Sequence, residues 1–231
     1  MPRRPKLRPA TVVLLVRHGL TPTTGKEMPA PGPGPNLSDQ GWAQAGQAAD
    51  HICAWRATLP ELAALYSSPL SRTKETASVI SKAVGLPVTE EPGLVDCDTG
   101  EWAGLPLNDL AKKPEWATVV NYPSSFRFPG GESISGMYAR VVGTVRALAE
   151  RHPGRAVVVV THADPIKAVL ADAMGVHLDL FQRVNVSPAS VSAITYAEAS
   201  PSVMLVNWTV PDGPGPKGTV VGPEPSVRRR S

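Results

Sequence analysis

Little in this chain marks a secreted, membrane-bound or metal-dependent protein. Of its 231 residues only Cys53 and Cys97 are cysteines. They form no Cys-x-x-Cys pair and no disulfide framework, so a small cross-linked scaffold is excluded and a reducing cytoplasm suits the chain. No apolar stretch is long enough to span a bilayer, and the N-terminus lacks the apolar core of a signal peptide. Neither a membrane nor an export route is therefore expected. No two histidines stand in an HxH or HExxH pair, which argues against a metal site. No basic helix carries interleaved aromatics, so nucleic acid is not an expected partner. The net charge of +3 is modest. Much of the basic excess sits at the ends, in Arg3, Arg4, Lys6 and Arg8 and in Arg228, Arg229 and Arg230.

What the chain does have is two apolar, β-branched runs that stop at a histidine. The first is Val12-Val13-Leu14-Leu15-Val16-Arg17-His18-Gly19, and the second is Ala156-Val157-Val158-Val159-Val160-Thr161-His162. Such runs read as strands buried on both faces of a parallel sheet, whose carboxyl ends are where open α/β sheets bind ligands. Gly19 lets the backbone turn sharply there. With 42% hydrophobic and 19% charged residues the composition is that of a globular chain. We expect a flexible leader over 1–10, one domain over 11–210 and a Pro/Gly-rich basic tail over 211–231.

Between these strands the pattern alternates. Residues 20–35 carry Pro22, Pro29, Pro31, Pro33 and Pro35, which forbid a helix and suggest a lid or substrate contact. The stretch from Gly19 to Gly25-Lys26 is one residue too long for a phosphate-binding P-loop, and Glu27 stands where Ser or Thr is needed. Ser38 caps a helix to about Trp55, with Trp42, Ala45, Ala49, Ile52 and Cys53 on its apolar face. Leu62 to Ser67 is a strand, and Ser68-Pro69 reads as the cap and first turn of a helix to Val84. The acidic, glycine-containing stretch 94–104 reads as a shaped loop. A long amphipathic helix runs from about Glu132 to Arg151, Asp164-Pro165 reads as the start of a helix to Met174, and strands are expected near 183–187, 189–197 and 202–210. His51 and His152 are expected at the surface, and His177 between helix and loop.

Two histidines and two arginines, Arg17, His18, Arg72 and His162, thus fall on one edge of the sheet. Arg72 lies in a first helical turn, where the macrodipole disfavours a cation unless an anion is bound. Paired arginines neutralise a phosphate dianion and hold it bidentately. A neutral imidazole beside a phosphoryl group can attack it, and nearby guanidiniums keep that imidazole unprotonated. A second imidazole can donate to the phosphoryl oxygens as charge redistributes. The reaction then needs an acid for the leaving alkoxide, and the loop offers Asp96, Asp98 and Glu101.

Together Arg17-His18-Gly19, Ser67-Ser68-Pro69 with Arg72 and Thr76-Ala77, Gly100-Glu101-Trp102-Ala103-Gly104, and Thr161-His162 resemble the histidine phosphatase superfamily. The likeness is to branch 1, the phosphoglycerate mutase-like group, and covers residues 11 to 197. Pro129-Gly130-Gly131-Glu132-Ser133 and His177 to Arg183 look closer to an actinobacterial subgroup labelled probable phosphomutase or phosphatase. The resemblance implies a three-layer α/β/α fold with a mainly parallel central sheet. It implies that His18 is the phosphorylated nucleophile and that Arg17, Arg72 and His162 complete the phosphate pocket. The family's usual proton-donating glutamate falls at Asp96, one methylene shorter. Thr24 stands where many relatives carry a phosphate-contacting asparagine, and Asp164 is expected as a helix cap.

The expected activity is that of a metal-independent, cofactor-free phosphatase acting on a small phosphorylated metabolite, with a homodimer left open. A phosphomutase and a non-catalytic phospholigand-binding protein are the competing readings. Between Gly104 and Gly130, Lys112, Lys113 and Arg127 are the possible anion contacts, but no paired-arginine clamp for a second acidic group is evident. That favours hydrolysis over a mutase.

Overall fold

The computed structural model describes residues 8–30 and 32–209, so the expected leader, apart from residues 8–10, and the expected tail lie outside the described residues. The strands are β1 (Thr11–Arg17), β2 (Leu62–Ser67), β3 (Val88–Glu90), β4 (Ala156–Thr161), β5 (Val191–Tyr196) and β6 (Pro201–Trp208). The α-helices are α1 (Asp39–Trp55), α2 (Ser71–Val84), α3 (Leu107–Leu110), α4 (Trp116–Asn121), α5 (Ile134–Arg151) and α6 (Ala163–Met174). The sheet order is β3-β2-β4-β1-β5-β6. β3, β2, β4 and β1 run parallel, whereas β5 and β6 are antiparallel additions at one side.

The two central strands are apolar on both faces because both faces are covered. Val12, Leu14 and Val16 join Ala48, Ala49 and Ile52 of α1 and Ala77, Ile80 and Val84 of α2 in one core. Val13 and Leu15 turn the other way, into a core with Met137, Val141 and Val145 of α5 and Ile166, Val169 and Leu170 of α6. Each fully buried Val or Leu here contributes about 1.5–3 kcal/mol relative to exposure. The result is helix layers on both sides of a mainly parallel sheet. Among the described residues, no helix is long and apolar enough to cross a membrane.

Helix starts differ from expectation in instructive ways. Ser38 does cap α1, its side chain accepting from the Gly41 amide. Helix α2, however, begins at Ser71 with Leu70 at the cap and no side-chain cap bond, two residues beyond Pro69. The Ser68 hydroxyl is committed to His162 instead. In α6 the capping position is His162, and Asp164 lies inside the helix. Trp42 is exposed because α1 buries the Gly41, Ala45, Ala48, Ala49 and Ile52 stripe. The strand expected near 183–187 is absent: a two-turn 3-10 helix, Leu178–Arg183, runs into a segment that offers the Val186 carbonyl to Arg17.

Candidate active site

Strands β1, β2 and β4 end side by side, in register, with Arg17 opposite Thr161 and Ser67 opposite Val160. The next residues, His18, Ser68 and His162, therefore meet at the carboxyl edge of the sheet. Gly19 follows because there is no room for a side chain: a Cβ there would stand 2.4 Å from the Gly41 carbonyl oxygen of α1.

His18 is buried and its Nδ1 stands 2.7 Å from the Gly19 carbonyl oxygen. A carbonyl can only accept, so Nδ1 carries the proton and Nε2 presents its lone pair. Arg72, also buried, donates from Nε to that Nε2 at 3.3 Å. Burial, and then the Arg72 and Arg17 guanidiniums, hold the His18 pKa well below the ordinary imidazole value. The ring is neutral at physiological pH.

Asp96 reaches the same place from the loop between β3 and α3. Its Oδ2 lies 3.4 Å from Arg72 Nη2 and 3.7 Å from His162 Nδ1. Burial raises its pKa to about 6 against the opposing pull of Arg72. His162 is fully buried, and its Nε2 lies 2.9 Å from Ser68 Oγ. Burial first, and then Arg72 and His18, lower its pKa well below the ordinary value. The two imidazole rings stand edge to face, 5.3 Å between centroids. Arg17 donates from Nη1 to the Val186 carbonyl at 2.7 Å, while its Nε and the Nδ1 of His162 are buried with no hydrogen-bond partner. Two orphaned nitrogens beside two guanidiniums and one carboxylate suit an anion with several acceptor oxygens.

Arg17, His18, Arg72, Asp96 and Thr24 all line one cavity of about 520 Å³; His162 is fully buried and does not line it. Thr24 Oγ1 accepts from the Thr21 amide at 3.0 Å and shares a hydrogen bond with Thr21 Oγ1 at 2.8 Å, which fixes the hydroxyl's position on the cavity wall. The proline-rich loop forms much of the cavity wall but is tied down. The Met28 amide donates to Leu105, and the Gly104 amide donates to Met28. Trp116, Val119 and Val120 of α4 also line the cavity, Val119 buried and Val120 exposed.

Of the anion contacts expected between Gly104 and Gly130, Lys112 is exposed and paired with Asp109, and Arg127 is exposed and donates to the Gly131 carbonyl. Neither they nor Lys113 line the cavity. The lysine that does is Lys167, held by Asp164 at 3.0 Å and by Gln182 Oε1 at 2.7 Å. An isolated lysine on a helix gave no signal in the sequence. Asp98 and Glu101 stay off the cavity wall, Asp98 accepting from the Gly100 amide.

The other histidines stand apart. His51 packs against Trp208 and His152 bonds the Tyr66 hydroxyl at 2.8 Å, so both are less exposed than their positions suggest. His177 is exposed, and its Nδ1 accepts from the Asp179 amide.

Residues 13–209 match the model of the histidine phosphatase superfamily (branch 1). The chain belongs to that family. It is 34% identical over 201 residues to a bifunctional protein of Mycobacterium tuberculosis, covering 86% of this chain and 54% of that one. It therefore spans about half the length of such curated relatives. It is also 34% identical over 177 residues to phosphoserine phosphatase 1 of Hydrogenobacter thermophilus, covering 76% of this chain and 82% of that protein. The fold matches the solved structure of a mycobacterial glucosyl-3-phosphoglycerate phosphatase with a TM-score of 0.75 at 22% identity, over 87% of this chain and 100% of that one.

Proposed function

We propose that this chain is a metal-independent phosphatase that hydrolyses a small phosphorylated metabolite through a phosphohistidine at His18. The observation that carries the reading is the Nδ1 contact to the Gly19 carbonyl, which leaves the Nε2 lone pair of a neutral imidazole facing Arg72. Both cavity-lining guanidiniums, Arg17 and Arg72, would receive the phosphate oxygens. Nε2 attacks phosphorus, the bond to the ester oxygen breaks, and Asp96 gives its proton to the departing alkoxide. Its raised pKa keeps a protonated fraction available near neutrality. Water then attacks the phosphohistidine, Asp96 takes the water's proton, and inorganic phosphate leaves Nε2. His162 would support the developing charge from Nδ1.

Hydrolysis is favoured over transfer by the cavity's composition. Beyond the phosphate end the one lysine among the described lining residues, Lys167, already has two acceptors, Asp164 and Gln182. A mutase must retain a dephosphorylated intermediate, and among the described residues no second arginine pair lines the cavity to hold an acidic one. The relative named phosphoserine phosphatase 1 supports the same reading. The free thiols of Cys53 and Cys97 suit a cytoplasmic setting.

The test is a panel of phosphate monoesters assayed for released phosphate with and without a chelator. We expect release that the chelator does not abolish. Transfer of the phosphoryl group between positions of the substrate, with little free phosphate, would establish a mutase. Binding without turnover would establish a phospholigand-binding protein.

A further inference from the structure

The Pro129 to Ser133 motif takes no part in the phosphate chemistry, yet it is built into the loop that carries Asp96. Arg140 on α5 is the link. Its Nη1 donates to the carbonyls of Gly93 and Val95, each at 3.0 Å, and its Nη2 to the carbonyl of Asp96 itself at 3.3 Å. The remaining N–H groups fork onto Glu132, Nε to Oε1 at 3.1 Å and Nη2 to Oε2 at 2.7 Å. A guanidinium has five N–H groups, and here every one has an acceptor. Glu132 is itself fixed, its amide donating to the Asp98 carbonyl at 2.8 Å.

Other contacts hold the same short segment. Thr161, beside His162 at the end of β4, donates from Oγ1 to the Leu94 carbonyl at 2.6 Å. Gly93 lies so close to α5 that a Cβ would stand 2.1 Å from Thr144 Oγ1. An aspartate has only one methylene between backbone and carboxyl. A shift of the Asp96 backbone therefore passes almost undamped to the proton it carries.

We propose that Arg140, oriented by Glu132, is a positioning residue for Asp96, holding the acid's own backbone so that its carboxyl meets the leaving oxygen. This rests on the reading of Asp96 as the acid. A displacement of about 1 Å can cost on the order of a hundredfold in rate, and the cost falls on substrates that need the proton. A nitrophenolate leaves without one, whereas an alkoxide does not.

The experiment measures kcat/KM, which reports phosphoenzyme formation, for an alkyl phosphate and for para-nitrophenyl phosphate in Arg140→Met, Arg140→Lys, Asp96→Asn and the Arg140→Met/Asp96→Asn double variant. Arg140→Met should lose roughly tenfold or more on the alkyl ester and less than roughly threefold on the nitrophenyl ester, following the leaving-group dependence of acid catalysis. Arg140→Lys, which keeps a cation beside Glu132 but cannot span three carbonyls, should show a smaller loss with the same selectivity. It decides the matter if Arg140→Met fails to fold. The double variant should lose no more on the alkyl ester than Asp96→Asn alone. If the Arg140 variants slow both esters equally while Asp96→Asn is selective, Arg140 is only structural and the proposal falls alone. If Asp96→Asn shows no selectivity, the acid has been misidentified and both readings fall.

Discussion

Arg72 donates from Nε to Nε2 of His18 at 3.3 Å, so the arginine covers the lone pair that the proposed attack on phosphorus would use. On the proposed mechanism a bound phosphoryl group would come between them, its oxygens replacing the imidazole as acceptors for Arg72 and its phosphorus facing the released lone pair.

Arg72→Ala should therefore weaken inhibition by inorganic phosphate and vanadate by roughly tenfold or more, since hydrogen bonds between charged groups contribute about 1.5–3 kcal/mol each. Inhibition constants measured side by side with the wild type check this. Equal constants would mean that Arg72 does not hold the anion.

The raised pKa of Asp96, about 6, predicts a pH profile. As a general acid it must be protonated, so kcat/KM for an alkyl phosphate should fall as pH rises above about 6. The low pKa of His18 keeps the nucleophile neutral over the same range. A monoester's own second ionisation falls near there too, so the comparison is made between enzymes on one ester. Asp96→Asn should lose roughly a hundredfold on that ester, as expected for loss of a general acid, and should lose the alkaline decline attributable to the enzyme. An unchanged decline in the variant would place the acid elsewhere.

Fold and site were unequally legible in the chain. The runs ending in His18 and His162 announced themselves because a strand buried on both faces has no reason to end in an imidazole beside a glycine or threonine. Arg72 stood out because a cation opens a helix where the dipole disfavours it. Asp96 was one of three loop acids on offer, with Asp98 and Glu101, and only the resemblance singled it out, since an acid in an irregular loop has no periodicity to place it. Ser68 was misread: the same Ser-Pro pair that marks a helix start also delivers a hydroxyl to His162, and the tertiary contact decides its use. Arg140 gave no signal because most of its acceptors are backbone carbonyls, which every residue has. Residues 183–187 alternate like a strand, yet that stretch supplies a carbonyl to Arg17.

Close approach of the backbones at Gly41 predicts opposite outcomes for one substitution at two positions of α1. A Cβ at Gly41 would stand 2.1 Å from the Leu20 carbonyl oxygen, whereas at Gly46 it would meet nothing within 4 Å. Gly41→Ala should destabilise by about 1–3 kcal/mol through overpacking, and Gly46→Ala should stabilise by about 0.5–1 kcal/mol through helix propensity. Denaturant melts of the two variants give the signs. A neutral Gly41→Ala would show that the loop after β1 can move away freely.

The most direct test is to trap the covalent intermediate. Wild-type protein mixed with a para-nitrophenyl phosphate excess, quenched in alkali within the first turnover and digested, should yield one peptide carrying an acid-labile phosphate, located by mass spectrometry on His18. His18→Ala should give none and retain less than about one per cent of wild-type turnover, as expected on removing a nucleophile. Turnover without any phosphohistidine, or with the phosphate on another residue, would contradict the mechanism.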